Sequence, residues 1–213
     1  MQLYFSDGSP YARVARILIS EAGLAVEPVR ETQFPPQRVS AVNPALQVPA
    51  LDTGSRRLFG TRLIAEYLLS LPRDGAGAEA PPLAAAPVRP EDPWQDAQVL
   101  TALETLLGSL VLRSYLVWTG AEHRPDAAIP LDLAERELER SLSLLDWLEA
   151  AAGPEGFLPG SFSLQDIWLV ATLEWTEARL PVPWRGRPRL EALLARYRDR
   201  PSVAGTRPAP LRI

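Results

Sequence analysis

Hydrophobic and polar positions follow two different periods at the start of the chain. A short apolar run at residues 2–5 is followed by the polar sequence SDG at 6–8, which is typical of a strand and a turn. From residue 10 to residue 22 apolar positions recur every three or four residues, which predicts a helix. Ser9 stands where an N-cap is expected, and Gly23 where the helix should stop.

The same two periods continue to residue 71. They predict short strands at 26–30, 48–52 and 57–59, a segment that begins with proline at 35–42, and a helix at 61–71. The order is strand, helix, strand, helix, strand, strand, helix. This order indicates an α/β layer with a right-handed crossover.

The second half of the chain has only the helical period. Residues 73–93 are crowded with Pro, Ala and Gly and have no sustained period, which is typical of a linker. Amphipathic segments follow near 94–118, 131–152, 163–180 and 188–198. We therefore predict three parts: an α/β domain at 1–72, a linker at 73–93, and an all-helical domain at 94–213.

Composition narrows the class of protein. The chain has 213 residues, with 46% hydrophobic and 23% charged residues, which is typical of a folded globular protein. The net charge of −4 offers no basic field for a nucleic acid. We see no signal peptide and no run of about 18 uncharged apolar residues, so we expect a cytoplasmic protein that does not cross a membrane.

The residue inventory excludes several kinds of catalysis. Cys is absent, which removes disulfides, thiolate nucleophiles and zinc sites built on sulfur. Lys is absent too, which removes Schiff-base chemistry and phosphate-loop lysines. His123 is the only histidine and lies in the loop-like sequence HRPD, so we expect neither a Ser-His-Asp triad nor a metal site.

One proline stands inside a strand-like run. Pro49 in QVPAL cannot donate to a sheet ladder, so it marks an edge or a bend, and we expect the Val48-Pro49 bond to be cis. A bend leaves the backbone N–H and C=O of Val48 free to pair with an extended, peptide-like ligand. The alternative is a strand that is simply bent by its proline.

Four motifs in order resemble the cytosolic glutathione transferases. They are SPYARVARILISEAGL after the first strand, NPALQVPAL, LFGTRLIAEYL, and FSLQDIWLV in the helical half. The resemblance covers essentially the whole chain and is nearest to serine-type bacterial members that begin with Ser-Pro-Phe or Ser-Pro-Tyr. It implies a thioredoxin-like N-terminal domain that binds glutathione as co-substrate, a helical domain that helps to bind a hydrophobic electrophile, a homodimer, and a role in detoxification.

The resemblance also assigns roles to single residues. Ser9 matches the serine whose hydroxyl donates to the glutathione sulfur; it could also be only an N-cap, and Tyr4 is the rival. Val48 and Pro49 match the backbone clamp on the cysteinyl part of glutathione. Thr61 matches the serine that holds the γ-glutamyl carboxylate, although a plain cap is the alternative.

Two positions depart from the family pattern. Gly60 stands where most relatives have Glu, Gln or Asp in contact with the γ-glutamyl end, and Leu46 replaces a common glycine. These departures leave alternatives open. The protein could use another low-molecular-weight thiol, could be a non-catalytic binding or interaction module, or could carry out dehalogenase or isomerase chemistry.

The helical half holds further candidates. Ser163 and Asp166 have the spacing of a capping box, which predicts a role in folding. Tyr11, Tyr115 and Trp118 are our candidates for the wall of an electrophile pocket. We expect the six tryptophans to lie mostly in the core, and the alternating acids and arginines at 135–140 to form a solvated helix face.

Overall fold

The structure is a computed structural model that describes residues 1–32, 37–72, 81–121 and 131–209. Its first lobe is built on a four-stranded mixed sheet with the order β2-β1-β3-β4. β1 pairs in parallel with β2 and antiparallel with β3, and β4 closes the sheet as a hairpin partner of β3. The strands are β1 (Gln2–Phe5), β2 (Glu27–Arg30), β3 (Ala50–Asp52) and β4 (Arg57–Phe59).

Two helices cover one face of this sheet and a short 3-10 helix lies on the other. The helices are α1 (Pro10–Glu21) and α2 (Thr61–Ser70), and the 3-10 helix is Arg38–Ala41. Successive strand residues point to opposite faces. Leu3 and Phe5 therefore join the main core with α1 and α2, whereas Tyr4 packs with a small cluster of Val39, Val42 and Ala50.

The second lobe is helical throughout. Its helices are α3 (Pro93–Trp118), α4 (Leu133–Ala151), α5 (Leu164–Arg179), α6 (Pro188–Tyr197) and α7 (Pro201–Ala204). α5 is buried almost along its whole length and packs against α1, α3 and α6. Ser163 and Asp166 form the predicted capping box, which fixes where this central helix begins.

Buried ion pairs join the lobes through α1. Arg13 pairs with Glu174 on α5 and donates to the carbonyl oxygen of Val203 at 3.0 Å. Glu21 accepts two hydrogen bonds of 2.6 Å from Arg200. Because a buried charge that loses its partner is strongly destabilising, these contacts fix α1 against the helical lobe.

The predicted elements are present, with shifted ends. The predicted strand at 48–52 begins only at Ala50, because the backbone turns at Pro49 before the ladder starts. α7 was not predicted, since four residues are too few to reveal a period. Of the linker, the described residues 81–92 are tied to the helical lobe, with hydrogen bonds of 3.0 and 2.8 Å that join residues 82 and 84 to Phe162.

Some burial predictions were wrong. Glu137 is only 3% exposed and pairs with Arg140, so the segment 135–140 is not a uniformly solvated face. Trp168, Trp175 and Trp184 are in the core, but Trp94 is 84% exposed and Trp147 is exposed as well. His123 lies outside the described residues.

α3 is both the longest of the described helices and strongly apolar. Of the helices that the structure describes, α3 alone is long and apolar enough to cross a membrane, judged by length and composition. Half of its most apolar stretch is buried against the rest of the protein. A core helix of a globular lobe has the same properties. The expectation that this chain does not cross a membrane therefore stays a prediction.

Candidate active site

Three segments that were predicted to contact glutathione lie at one end of the sheet. Tyr4 on β1 lies opposite Ala50 on β3, and Ala50 lies opposite Phe59 on β4. The end of β1, the start of β3 and the end of β4 therefore lie at the same end of the sheet. At this end, β1 is followed by the loop before Ser9, β3 is preceded by Val48-Pro49, and β4 is followed by Gly60-Thr61.

Ser9 caps α1, as predicted. Its backbone is extended, and its Oγ accepts a hydrogen bond of 3.1 Å from the N–H of Ala12. Pro10 occupies the first helical position. Since accepting a hydrogen bond leaves the hydroxyl proton free, Ser9 can cap the helix and still donate to an anion at its N-terminus.

The Val48-Pro49 bond is cis, which confirms the prediction. The preceding loop is held by the buried side chain of Asn43, whose Nδ2 donates to the carbonyl oxygen of Gln47 at 2.6 Å. The Oδ1 of Asn43 accepts from the N–H of Ala45 at 2.8 Å. Because both polar atoms of the Asn43 amide bind the loop, the backbone of Val48 is held in a fixed position.

The start of α2 forms the floor of an open cleft. Gly60 precedes the helix with a φ of +90°, a conformation that side chains rarely adopt, and it provides no side-chain cap. The N–H groups of the first turn therefore remain available to an anionic group. The cleft has a volume of about 240 Å³ and is lined by Tyr11, Gly60, Thr61, Arg62, Leu63, Glu104 and Trp168.

Two side chains from outside α2 give this cleft its polar walls. Burial raises the pKa of Tyr11 to about 12, so the phenol keeps its proton at neutral pH. Burial also raises the pKa of Glu104, whose Oε2 lies 3.7 Å from Nη1 of Arg62. That contact is long for a charged hydrogen bond, so the Glu104 carboxylate can accept from a ligand as well.

An aromatic row runs from α3 to the loop before Ser9. The rings of Tyr115 and Trp118 meet edge to face at 5.8 Å, and Trp118 meets Trp175 at 6.4 Å. The Nε1 of Trp175 donates to the carbonyl oxygen of Gly8 at 3.0 Å. Tyr115 and Trp118, two of the predicted pocket residues, are thus connected through Trp175 to Gly8, the residue before Ser9, while Tyr11 lines the cleft at the start of α2.

Glu104 and Trp175 were not singled out from the sequence. Trp175 was grouped with the core tryptophans, and it is indeed only 4% exposed. Its spacing could have placed it, because Trp168, Thr172, Trp175 and Arg179 follow each other at three or four residues on one face of α5. Tyr4 lies on the face of the sheet that points away from the main core. This position does not decide whether Tyr4 or Ser9 donates a hydrogen bond to the sulfur.

Comparisons with known proteins agree with this architecture. Residues 3–76 match the family model of the glutathione S-transferase N-terminal domain. No curated protein sequence matches the chain. A glutathione S-transferase from Methylobacterium radiotolerans, solved in complex with glutathione sulfonate, is 24% identical, with a TM-score of 0.77 over 100% of this chain and 96% of that one.

Two further solved structures show how far the fold extends. A glutathione S-transferase from Methylobacillus flagellatus with bound glutathione is 24% identical, with a TM-score of 0.74 over 99% of each chain. A trimeric glutathione transferase from Leishmania is also 24% identical, with a TM-score of 0.68, and covers 97% of this chain but 44% of that one. The predicted fold is therefore confirmed: a thioredoxin-like lobe followed by a helical lobe, as in glutathione transferases.

Proposed function

We propose that this protein is a glutathione transferase-like enzyme that activates the thiol of glutathione for attack on a hydrophobic electrophile. One observation carries the proposal. Ser9 at the start of α1, the cis Val48-Pro49 bond and the start of α2 lie at the same end of the sheet. These are an anion-stabilising hydroxyl, a backbone segment that precedes the ladder of β3, and an anion-binding helix terminus, as an extended anionic peptide thiol requires.

The site offers a partner for each end of glutathione. The Val48 backbone would pair with the cysteinyl residue, and the first turn of α2 with Thr61 would hold the γ-glutamyl carboxylate. The γ-glutamyl end also carries an ammonium group. Glu104 borders the same cleft, so we assign it to this group in place of the side chain that Gly60 lacks.

Ser9 would then lower the pKa of the bound thiol. Bringing a thiol from a pKa of about 8.5 to about 6.5 requires about 2.7 kcal/mol. A hydrogen bond to a charged group supplies about 1.5–3 kcal/mol, and a helix N-terminus about 0.3–1 kcal/mol. Together they supply about 1.8–4 kcal/mol, a range that includes the required value, so the hydroxyl and the helix N-terminus act jointly.

The test replaces Ser9 by alanine. Ser9→Ala should raise the pKa of bound glutathione by about one to two units, since one charge-assisted hydrogen bond is lost. The ultraviolet absorbance of the thiolate measures this pKa, and calorimetry should show glutathione affinity little changed. Ser6→Ala in the same loop is the control. An unchanged thiol pKa in Ser9→Ala would transfer the role to Tyr4 or to backbone groups.

A second candidate is a related protein that binds another low-molecular-weight thiol or only binds a partner. Leu46 favours it, because this residue is 52% exposed beside the cis bond and has a φ of +56°. A protein that shows no heat with glutathione, yet folds normally, would support this reading. A cytoplasmic location and a role in detoxification are parts of the main proposal.

A further inference from the structure

Arg179 is a cation beside the candidate active site that the proposed function does not use. It is the last residue of α5, on the same helical face as Trp175. A Cβ atom built on Gly8 would lie 3.2 Å from Nη2 and 3.9 Å from Cζ of Arg179. The guanidinium group therefore rests against the residue directly before Ser9.

This guanidinium group lacks a protein partner in the part of the chain that the structure describes. Its Nε is buried without a hydrogen bond, and no carboxylate pairs with its charge. Arg185 of the same lobe pairs with Glu177, whereas Arg113 on α3 has two buried guanidinium nitrogens without a hydrogen bond. What sets Arg179 apart is its contact with the residue before Ser9. A partly buried charge without a partner is unfavourable, and a ligand that brings an anion would satisfy it.

The surroundings define what such a ligand looks like. Trp175 donates to Gly8, which Arg179 also contacts, and the aromatic row continues through Trp118 to Tyr115. Trp175 is itself buried, so the wall that a ligand can contact is formed by Trp118 and the 46% exposed Tyr115, and such rings favour a flat, apolar ligand. An arginine fork favours a carboxylate or another planar anion.

We propose that Arg179 selects electrophiles that carry an anionic group on an aromatic or otherwise flat apolar body. This inference rests on the proposed function and names the substrate class of the same site. In the reaction the glutathione sulfur attacks the electrophilic carbon, the C–S bond forms, and the leaving group departs with its bonding electron pair. Arg179 takes no part in these bond changes; it positions the electrophile beside the sulfur.

The test compares two aryl chlorides that differ in charge. 1-Chloro-2,4-dinitrobenzene is neutral. 4-Chloro-3,5-dinitrobenzoate has a carboxylate para to the chlorine and both nitro groups ortho to it. In both, glutathione displaces chloride. Each kcat/KM is divided by the uncatalysed rate constant with glutathione in the same buffer, so that intrinsic reactivity cancels.

We expect the wild-type protein to favour the benzoate, and Arg179→Gln to lower this preference about tenfold to a hundredfold, mainly through KM of the anion. Arg179→Lys should retain part of the preference. Arg185→Gln, which removes an equal charge that is already paired, should leave it intact. A melting curve shows whether each variant is folded.

Two other results are informative in different ways. If the wild type turns over both chlorides without preference, or if Arg179→Gln changes only the melting temperature, Arg179 has a structural role at the end of α5 and the inference is wrong. If the wild type turns over neither chloride and does not bind glutathione, the proposed function falls, and this inference falls with it.

Discussion

At the scale of single residues, Gly60 is the position where the structure most changes the sequence-based view. Its φ of +90° is suited to glycine, although the space around a built Cβ is open. A glutamate introduced here would be strained whatever it contacts. Gly60→Glu therefore cannot show what the missing acidic side chain would contribute to glutathione binding. The acidic side chain that does line the cleft is the better residue to replace.

That acid is Glu104, and replacing it gives a sharp prediction. Glu104→Gln should weaken glutathione binding about tenfold, because a charged hydrogen bond to the γ-glutamyl ammonium is lost. Glutathione without its amino group should bind both proteins equally. Calorimetric titration measures both affinities. Glu66→Gln is the control, since Glu66 also contacts Arg62, at 2.9 Å, without lining the cleft.

The opposite outcome would be equally clear. If Glu104→Gln weakens glutathione and its deaminated analogue to the same extent, the carboxylate supports the cleft through Arg62 and does not hold the ammonium group. If neither affinity changes, the γ-glutamyl end lies elsewhere.

At the scale of elements, the start of α5 couples stability to pH. Asp166 accepts hydrogen bonds from the N–H groups of Phe157 and Ser163 and from the Ser163 hydroxyl. These bonds favour the charged carboxylate, but burial outweighs them and raises the pKa of Asp166 from 3.8 to about 6. The folded protein therefore binds this proton more tightly than the unfolded chain.

The sign of the effect follows from linkage. The contribution of Asp166 to the free energy of unfolding is largest below pH 3.8 and falls by about 3 kcal/mol as the pH rises to about 6. Asp166→Asn removes this titration. The difference in unfolding free energy between wild type and variant, measured by urea denaturation, should decline between pH 4 and pH 7. A constant difference would show that the carboxylate titrates normally.

The elements also show what the sequence could predict. Helix starts were placed within one or two residues, because Ser9 and Ser163 are local signals of caps and the helical period shows where the other helices begin. The cis bond was predicted from a proline inside a strand-like run. Local chemistry was sufficient in these cases.

The remaining features depend on how the lobes pack. Nothing near Glu137 in the sequence shows that it is buried, and nothing near Glu104 shows that it borders the start of α2. Arg179 and Trp175 reach the loop before Ser9 only because α5 lies against α1. The contacts of Glu104, Trp175 and Arg179 join residues far apart in the sequence and therefore have no local signature.

At the scale of the whole molecule, we predict a homodimer. Leu63 on α2 is 51% exposed and Trp94 at the start of α3 is 84% exposed, and a second copy of the chain could cover these side chains. Light scattering at micromolar concentration should report about twice the chain mass of 23.4 kDa. A mass of one chain would contradict the prediction, and so would a mass of three chains, the state of the Leishmania glutathione transferase that shares this fold.

The ion pairs of α1 have a consequence for the order in which the protein matures. Glu21 and Arg200 are 179 positions apart, so the helix that carries Ser9 leaves the ribosome long before its buried acid can meet its cation. Until then Glu21 has no counter-charge and must stay hydrated. We expect the early lobe to remain loosely packed during synthesis and to become rigid only when the residues around Arg200 dock. The reactive end of the first helix is thus completed by one of the last segments to be made.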